Sequence, residues 1–384
     1  MRTEARDVAA AVALSATFAS IAYTALAISR LRVHARRPRT RPSGRPAITI
    51  LKPVRGVEPG LAENLRSFCA QDYPEFEVVF GVLDPADPAL PIVRRVAADY
   101  PDRTTVVVGD GIAEHRNPKI ATLAPMVPHA KHALLVISDS DMRVTPDYLD
   151  AIATAFADDG VGAATCIYRG EPADDGLASR LGAMWIGEQF APSALVAAAV
   201  EPLTYCFGAT MAIRRDAFAA IGGLRGLGTQ LADDHTLGRL VTEQGFRVAL
   251  ARCVVANVVS ESGVRELLLH ELRWARTIRT VRPRSYYGIV LTYPLPLALL
   301  YAVLTKDRGR VIPVLALAGL ARLALHREAH RALGTRAYPS PLLIPLRDAF
   351  GIAVWIGGLA GRDVRWRDAA FRVAANGILA PLPD

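Results

Sequence analysis
Asp139-Ser140-Asp141 directly follows the apolar run ALLVIS at residues 133–138. In an extended segment, residues two apart point the same way, so both carboxylates leave one edge of a sheet together. Two hard oxygen donors there suit Mg²⁺ or Mn²⁺ shared with a diphosphate, because these ions keep open positions for substrate oxygens. Acids at strand ends also form turns and cap helices, so the pair alone leaves both readings open. Asp84 follows the run FEVVFGV and can hydrogen-bond a nucleotide base, or close a turn with Asp87 in DPADPALP. Asp233-Asp234 precede a helical stretch, where Asp234 can take a proton from an attacking hydroxyl. Either of them can instead serve as an N-cap, worth about 1 kcal/mol. Finally, His270, Arg273 and Trp274 fall at i, i+3 and i+4 in a helical stretch over residues 264–280. That spacing brings an imidazole, a cation and an aromatic wall to one face, where they can meet a pyrophosphate. With Arg276, Arg279 and Arg282 beyond them, the same pattern also describes a basic amphipathic helix on a membrane surface.

Positioning these side chains requires a scaffold, and the chain supplies the pattern of one. Apolar, β-rich runs occur at residues 47–51, 76–82, 104–108, 133–138, 162–168, 207–213 and 247–251. Helical patterns lie between them, at residues 62–70 after Pro59, 147–156 after Pro146, and 235–243 before Gly245. Strands alternating with helices predict an α/β fold with a mostly parallel, doubly wound sheet, whose ligands sit outside the strand carboxyl ends.

At 384 residues, 51% hydrophobic, the chain can bury an ample core, which excludes a disordered protein. Only four of its 45 basic residues are lysines (Lys52, Lys119, Lys131, Lys306), and the net charge is +8. The arginines cluster beside apolar segments, and no nucleic-acid module is present; a membrane surface is the better partner for this charge. Cys69, Cys166, Cys206 and Cys253 are far apart and form no zinc-type spacing, so they read as reduced, buried thiols, and the chemistry falls to carboxylates.

Residues 9–28 carry no charge and are long enough for a transmembrane helix. A cleaved signal peptide is the competing reading, but acids mix with bases before residue 8 and no cleavage site precedes the basic stretch. Arg30, Arg32, Arg36, Arg37, Arg39, Arg41 and Arg45 follow, which places the body in the cytoplasm. With Pro38, Pro42 and Pro46 among them, residues 30–46 also read as a linker. Near the C-terminus, residues 286–304 read as a membrane span. Residues 311–325 and 342–361 are interrupted by Arg322 and by Arg347-Asp348, so they are short, interfacial or re-entrant, or turn their charges toward protein. The tail with Arg362, Arg365, Arg367 and Arg372 then stays inside with the basic loop 327–336. Residues 183–200, apolar around Glu188 and Gln189, read as a buried helix or as the lining of a lipid entrance. The division is a 1–29 anchor, a 30–46 linker, a 47–284 catalytic domain and a 285–384 membrane region with basic tail. Oligomeric state has no signature.

The ordered set Asp84, Asp139-x-Asp141, Asp233-Asp234 and His270-x-x-Arg273-Trp274 resembles the ceramide glucosyltransferase-like enzymes, glycosyltransferase family 21 and its family 2 relatives. The match includes Leu51-Lys52-Pro53, Gly56-Val57-Glu58-Pro59-x-Leu61, Asn117-Pro118-Lys119, Gly222-Gly223 and Trp366-Arg367, and spans residues 48–372. Similar sequences occur among bacterial hopanoid-linked glycosyltransferases. The resemblance implies a GT-A (Rossmann-like) catalytic domain on the cytoplasmic face of a bacterial inner membrane. It implies inverting transfer of glucose or N-acetylglucosamine from a UDP-sugar to a hydroxyl of ceramide or a hopanoid polyol. By that resemblance Asp84 contacts the uridine, Asp139 and Asp141 hold Mn²⁺ or Mg²⁺ and the nucleotide, and Asp234 is the general base. Arg273 and Trp274 close over the diphosphate and help place the acceptor, His270 can donate to a phosphate oxygen, and Lys119 is a further phosphate ligand or a plain surface lysine. The family's closing motif usually begins with Gln or Arg, where this chain has His270, whose charge varies near neutral pH. A processive polysaccharide synthase, a polyprenyl-phosphate sugar transferase and an inactive scaffold are the competing classes.

Overall fold
The computed structural model describes every residue except 1, 37–41, 43, 114, 336–338, 367, 368, 375, 376 and 382–384. Arg37, Pro38, Arg39, Arg41, Arg336 and Arg367 of the sequence reading therefore lie outside the described residues. The chain forms two compact units. One comprises Arg37–Arg169, Val200–Ser260 and Phe371–Asp384; the other comprises Met1–Arg36, Gly170–Ala199 and Glu261–Ala370.

The first unit is built on an eight-stranded sheet: β1 (Ile48–Val54), β2 (Phe76–Val82), β3 (Thr104–Val108), β4 (Leu134–Ile137), β5 (Met142–Arg143), β6 (Val161–Pro172), β7 (Met211–Arg214) and β8 (Arg247–Val259). Their order is β3-β2-β1-β4-β7-β6-β8-β5. The first four strands are parallel, with Ile48 opposite both Phe76 and Leu134. β1 and β2 are buried along their whole length, as strands covered on both faces are, and are apolar apart from Thr49, Lys52 and Glu77. The chain moves outward from β1 to β2 and β3, then returns to place β4 on the other side of β1. This reversal opens a crevice at the carboxyl ends of β1 and β4, the usual ligand site of such sheets. Beyond β4 the strands pair antiparallel, β7 on β4, β6 on β7 and β5 on β8. The run at residues 207–213 is strand only from Met211; before it, Thr210 N–H bonds back to Phe207 at 3.1 Å and makes a turn.

The second unit is helical. Its first helix, Arg2–Arg36, extends the anchor through Arg30, Arg32 and Arg36, because helix formers continue until the proline at 38. Glu4–Arg36, Arg308–Leu333 and Pro341–Gly358 are long and apolar enough to cross a membrane. Residues 286–304 do not form the single straight span expected of them. Pro283–Thr292 and Pro294–Leu304 are two helices bent by 71°. Pro294 takes no helical N–H bond and pushes Tyr293 out of the α region, to φ −118° and ψ 73°.

The charges that interrupt the other two segments turn toward protein. Arg322 donates to Asp348 at 2.8 and 3.0 Å and to Glu188 at 3.0 Å, while His326 Nδ1 lies 2.8 Å from Glu188. Arg347 grips Glu271 with two bonds of 2.7 Å. Bidentate pairing of this kind is how an ion survives in a low-dielectric interior. Residues 177–200 form one helical rod in three pieces, Leu177–Trp185, a π-helical turn Ile186–Phe190, and Ala191–Val200, with Glu188 and Gln189 buried in the turn. All four cysteines are free and buried.

Candidate active site
In the sheet unit, Asp139, Asp234 and Lys119 converge on Gly208. A Cβ on Gly208 would stand 3.4 Å from Asp139 Oδ2, 3.4 Å from Asp234 Oδ2 and 3.8 Å from Lys119 Nζ. Glycine thus leaves open the space that the three charged groups face. Asp139 is placed by β4, at the crevice where Ser138 N–H bonds to Leu51 of β1 at 3.2 Å. Lys119 sits in the first turn of the helix Pro118–Leu123, whose start is fixed by Asn117. The Asn117 side-chain oxygen accepts from the Lys119 and Ile120 N–H groups at 2.9 and 3.2 Å, with Pro118 at the first helical position. Asp234 comes from the helix Asp233–Glu243, and Gly238 lets that helix press on Tyr205, where any Cβ would lie 2.3 Å from the Tyr205 Cα. The close approach puts Cys206 N–H 3.2 Å from the Asp234 carbonyl and carries Asp234 to Gly208.

Lys119 Nζ is 2.7 Å from Asp139 Oδ1, 3.6 Å from Asp233 Oδ2 and 3.3 Å from the Gly208 carbonyl. Burial works against its charge, but Asp139 and Asp233 outweigh burial and hold the ammonium above its usual value. Burial, and then the neighbouring Asp233, push the Asp234 carboxyl up to about 7. A carboxylate so placed can exchange a proton near neutral pH. Asp233 is also raised, first by burial, and it accepts from Asn117 Nδ2 at 3.3 Å. The N-cap position is Ala232 rather than either acid, but Asp234 Oδ1 accepts from the first-turn His235 N–H at 2.7 Å.

Asp141 lies deeper. Its Oδ2 accepts from Asn257 Nδ2 at 2.7 Å, and its Oδ1 is buried with no hydrogen-bond partner. Burial, with Glu58 and Asp139 nearby, pushes its carboxyl up to about 7. An orphaned carboxylate oxygen among acids fits a divalent cation. Among the described residues, no three His, Cys, Asp or Glu side chains are grouped to hold a metal. Residues 139–141 are not the extended segment expected from the sequence but a turn, with Met142 N–H bonding to the Asp139 carbonyl at 3.3 Å. An ion on Asp139 and Asp141 would need substrate oxygens to complete its shell.

Asp84 stands exposed past the end of β2, and its Oδ1 accepts from Ala86 N–H at 2.8 Å, closing a turn. Asp87 ties the turn down by accepting from Gly56 N–H at 2.9 Å and Ala89 N–H at 2.8 Å. Sequence reasoning gave no role to Lys52, which is wholly buried on β1, 3.7 Å above the Phe68 ring, and donates to the Asp139 carbonyl. Burial lowers it to about 7 against the pull of Asp141 and Asp139. A lone lysine inside an apolar strand, in a chain with four lysines, was the available signal. Gly208 and Asn257 had none.

His270, Arg273 and Trp274 belong to the helical unit, on the helix Val264–Val281. His270 Nδ1 pairs with Glu261, and the His270 ring lies 4.1 Å from that of Trp274. Trp274 in turn stacks on Trp185 at 4.7 Å. Burial raises Glu261, but its bond to His270 more than reverses this and leaves the carboxyl below its usual value. The sequence thus grouped residues that the structure distributes over two units: the acids and Lys119 in one, the aromatic and basic face in the other.

The comparisons agree with this architecture. Ceramide glucosyltransferase 3 of Caenorhabditis elegans is 24% identical over 374 residues, covering 93% of this chain and 79% of the worm enzyme. An N-acetylglucosaminyltransferase of Bradyrhizobium diazoefficiens is 26% identical over 246 residues, 60% of this chain and 49% of its own length. A mannosyltransferase from Pyrobaculum calidifontis, solved with GDP-Man and Mn²⁺, superposes with a TM-score of 0.54 at 22% identity, covering 91% of this chain and 99% of that one; the likeness shows a common GT-A-like fold. Residues 12–379 match glycosyl transferase family 21, a span that takes in the acids, Lys119 and the helix with His270, Arg273 and Trp274. The chain belongs to glycosyl transferase family 21 and is a glycosyltransferase.

Proposed function
We propose that this chain is a membrane-bound, inverting glycosyltransferase that moves glucose or N-acetylglucosamine from a UDP-sugar to a hydroxyl of a membrane lipid, either a hopanoid polyol or ceramide. The convergence of Asp139, Asp234 and Lys119 on Gly208, at the crevice between β1 and β4, is the observation that carries this reading. The names of the worm and Bradyrhizobium relatives support the acceptor class and the two sugars. The outward-facing apolar residues Val8, Val12, Phe18, Leu300, Ile312 and Leu320 support a bilayer around the helical unit. The arginines Arg30, Arg32 and Arg36, at the end of the first helix that leads into β1, support a cytoplasmic catalytic unit, and the membrane proposed is a bacterial inner membrane.

In the proposed reaction the lipid hydroxyl oxygen attacks the anomeric carbon as Asp234 takes its proton. The bond from that carbon to the diphosphate oxygen breaks, and UDP leaves with the electron pair. One displacement inverts the configuration, so an α-linked donor gives a β-glycoside. Asp139 and Asp141 would hold Mn²⁺ or Mg²⁺, which when bound neutralises charge on the diphosphate. Lys119 adds a fixed cation beside Asp139. Preorganised charge of this kind is usually the largest contribution to such a reaction. The roles proposed for Asp84 at the uridine, for Arg273 and Trp274 at the diphosphate and acceptor, and for His270 as a donor to a phosphate oxygen rest on the family resemblance alone. Asp234 adds about 10²- to 10⁴-fold as general base.

The test is incubation of the detergent-purified protein with a panel of UDP-sugars and Mn²⁺, with ceramide or bacteriohopanetetrol, followed by mass spectrometry of the lipids. A glycosylated lipid identifies donor and acceptor together. UDP release without a lipid product would remove both acceptors from the proposal, and no turnover with any donor would return the scaffold reading.

A further inference from the structure
Lys52 stands where packing alone would place an apolar residue. On β1, Ile48, Ile50 and Val54 point into one buried apolar cluster, and the two-residue alternation of a strand puts Lys52 on the same face. It is wholly buried, and its ammonium lies 3.7 Å from the centre of the Phe68 ring, a member of that cluster. An ammonium in such a place lowers stability unless its bonds offset the loss of water. Yet Lys52 donates to a main-chain oxygen, the Asp139 carbonyl, and not to a carboxylate. A charge kept at a core position for a neutral partner calls for a reason other than stability.

The Asp139 carbonyl opens the turn that carries both candidate metal ligands, and the rest of that turn is tied down by other groups. Ser138 N–H bonds to the Leu51 carbonyl at 3.2 Å, and Ser140 Oγ donates to Glu58 at 3.1 Å. Asp141 accepts from Asn257 Nδ2 at 2.7 Å on its carboxylate and from Val258 N–H at 3.0 Å on its carbonyl. The Asp139 carbonyl has, besides Lys52, only the long 3.3 Å bond from Met142 N–H. Among the described residues, Lys52 is thus the side chain that holds the peptide between Asp139 and Ser140. Rotation of that peptide would turn the Asp139 carboxylate relative to that of Asp141.

We propose that Lys52 is a positioning residue for the nucleotide site: by holding the Asp139 carbonyl it sets the relative placement of the Asp139 and Asp141 carboxylates that take a divalent cation with the donor diphosphate. Lys52 acts through Asp139, from within the sheet unit. The fold gives up stability at a core position to fix that geometry. This assignment rests on the metal and UDP-sugar reading above and adds the residue that shapes the metal ligands.

The test is Lys52→Met in the full-length protein in detergent. Methionine is similar in length, apolar and adaptable enough to fill the core position. With EDTA present, K52M should melt at or above the wild-type Tm, because the buried charge is gone. By calorimetry, Mn²⁺-dependent affinity for UDP should fall about 10- to 100-fold, the usual effect of losing a group that orients a metal ligand. Manganese EPR of the UDP-bound protein should show the same loss. A lysine that only holds the fold together would give a lower Tm instead. K52M that melts below wild type, fails to fold, or binds Mn²⁺ and UDP as tightly as wild type overturns the proposal and leaves the metal reading standing. A wild type whose UDP binding does not depend on Mn²⁺ overturns the metal reading and the proposal together.

Discussion

Lys119 Nζ stands 2.7 Å from Asp139 Oδ1 and 3.6 Å from Asp233 Oδ2, so one buried ammonium serves two carboxylates at the mouth of the crevice. Lys119→Met leaves both acids without that partner. Removing one member of a buried ion pair costs about 3–5 kcal/mol, so the variant should melt well below wild type. It should also bind UDP-sugar at least tenfold more weakly, by calorimetry in the presence of Mn²⁺. The structure already rules out the surface lysine that the sequence allowed, and unchanged melting with unchanged affinity would remove Lys119 from the nucleotide site.

Asp234→Asn tests the proton acceptor. The amide keeps the size of the side chain but takes no proton, so transfer should fall about 10²- to 10⁴-fold while UDP binding survives. Equal loss of transfer and UDP binding would reject the role.

The pH profile follows from the raised Asp234 carboxyl. Its deprotonated form is the active one, and burial beside Asp233 places its titration at about 7. kcat/KM should therefore be flat above about pH 8 and fall toward tenfold per unit well below 7. A profile flat down to pH 5, measured with saturating metal, would contradict the assignment.

Asp141→Ala removes the orphaned carboxylate oxygen and the bond to Asn257. Nucleotide binding should lose its dependence on Mn²⁺ and become weak at all metal concentrations. An unchanged Mn²⁺ titration would sink the metal-site reading. Manganese EPR on the nucleotide-bound protein gives the same answer without activity.

Arg347 and Glu271 form a buried bidentate pair joining the helices Ile344–Gly358 and Val264–Val281. Arg347→Met alone strands Glu271 and should cost about 3–5 kcal/mol, whereas Arg347→Met with Glu271→Leu should recover most of it. Melting of the three proteins in one detergent decides. A double variant no better than the single would mean that packing, not charge, holds these helices together.

Much of the sheet was legible because short β-rich runs bounded by turn residues read as strands whether fully buried, as β2, or half-buried, as β3. Residues 139–141 turn rather than extend, but the runs at 76–82 and 104–108 coincide with β2 and β3, and Asp139 fell just past a strand end because element boundaries are a local signal. Asp234 at a helix start was legible for the same reason. Long-range proximity was not: nothing in the sequence brings Gly208 between Asp139 and Asp234, or Lys52 beneath the Asp139 carbonyl. The bend at Tyr293 was missed because hydropathy sums over Pro294 and Pro296 without weighing their backbone effect. Arg322 and Arg347 were read as charges needing protein partners, but Glu188, Asp348 and Glu271 could be named only from the packed helices.

The anomeric configuration of the product tests the central claim most directly. Enzymatic product made from an α-linked UDP-sugar and the lipid acceptor would be examined by proton NMR at the anomeric position. The single displacement assigned to Asp234 predicts a β-linked sugar on the lipid oxygen. An α-linked product, or sugar found only as free hexose under conditions where UDP is released, would contradict it.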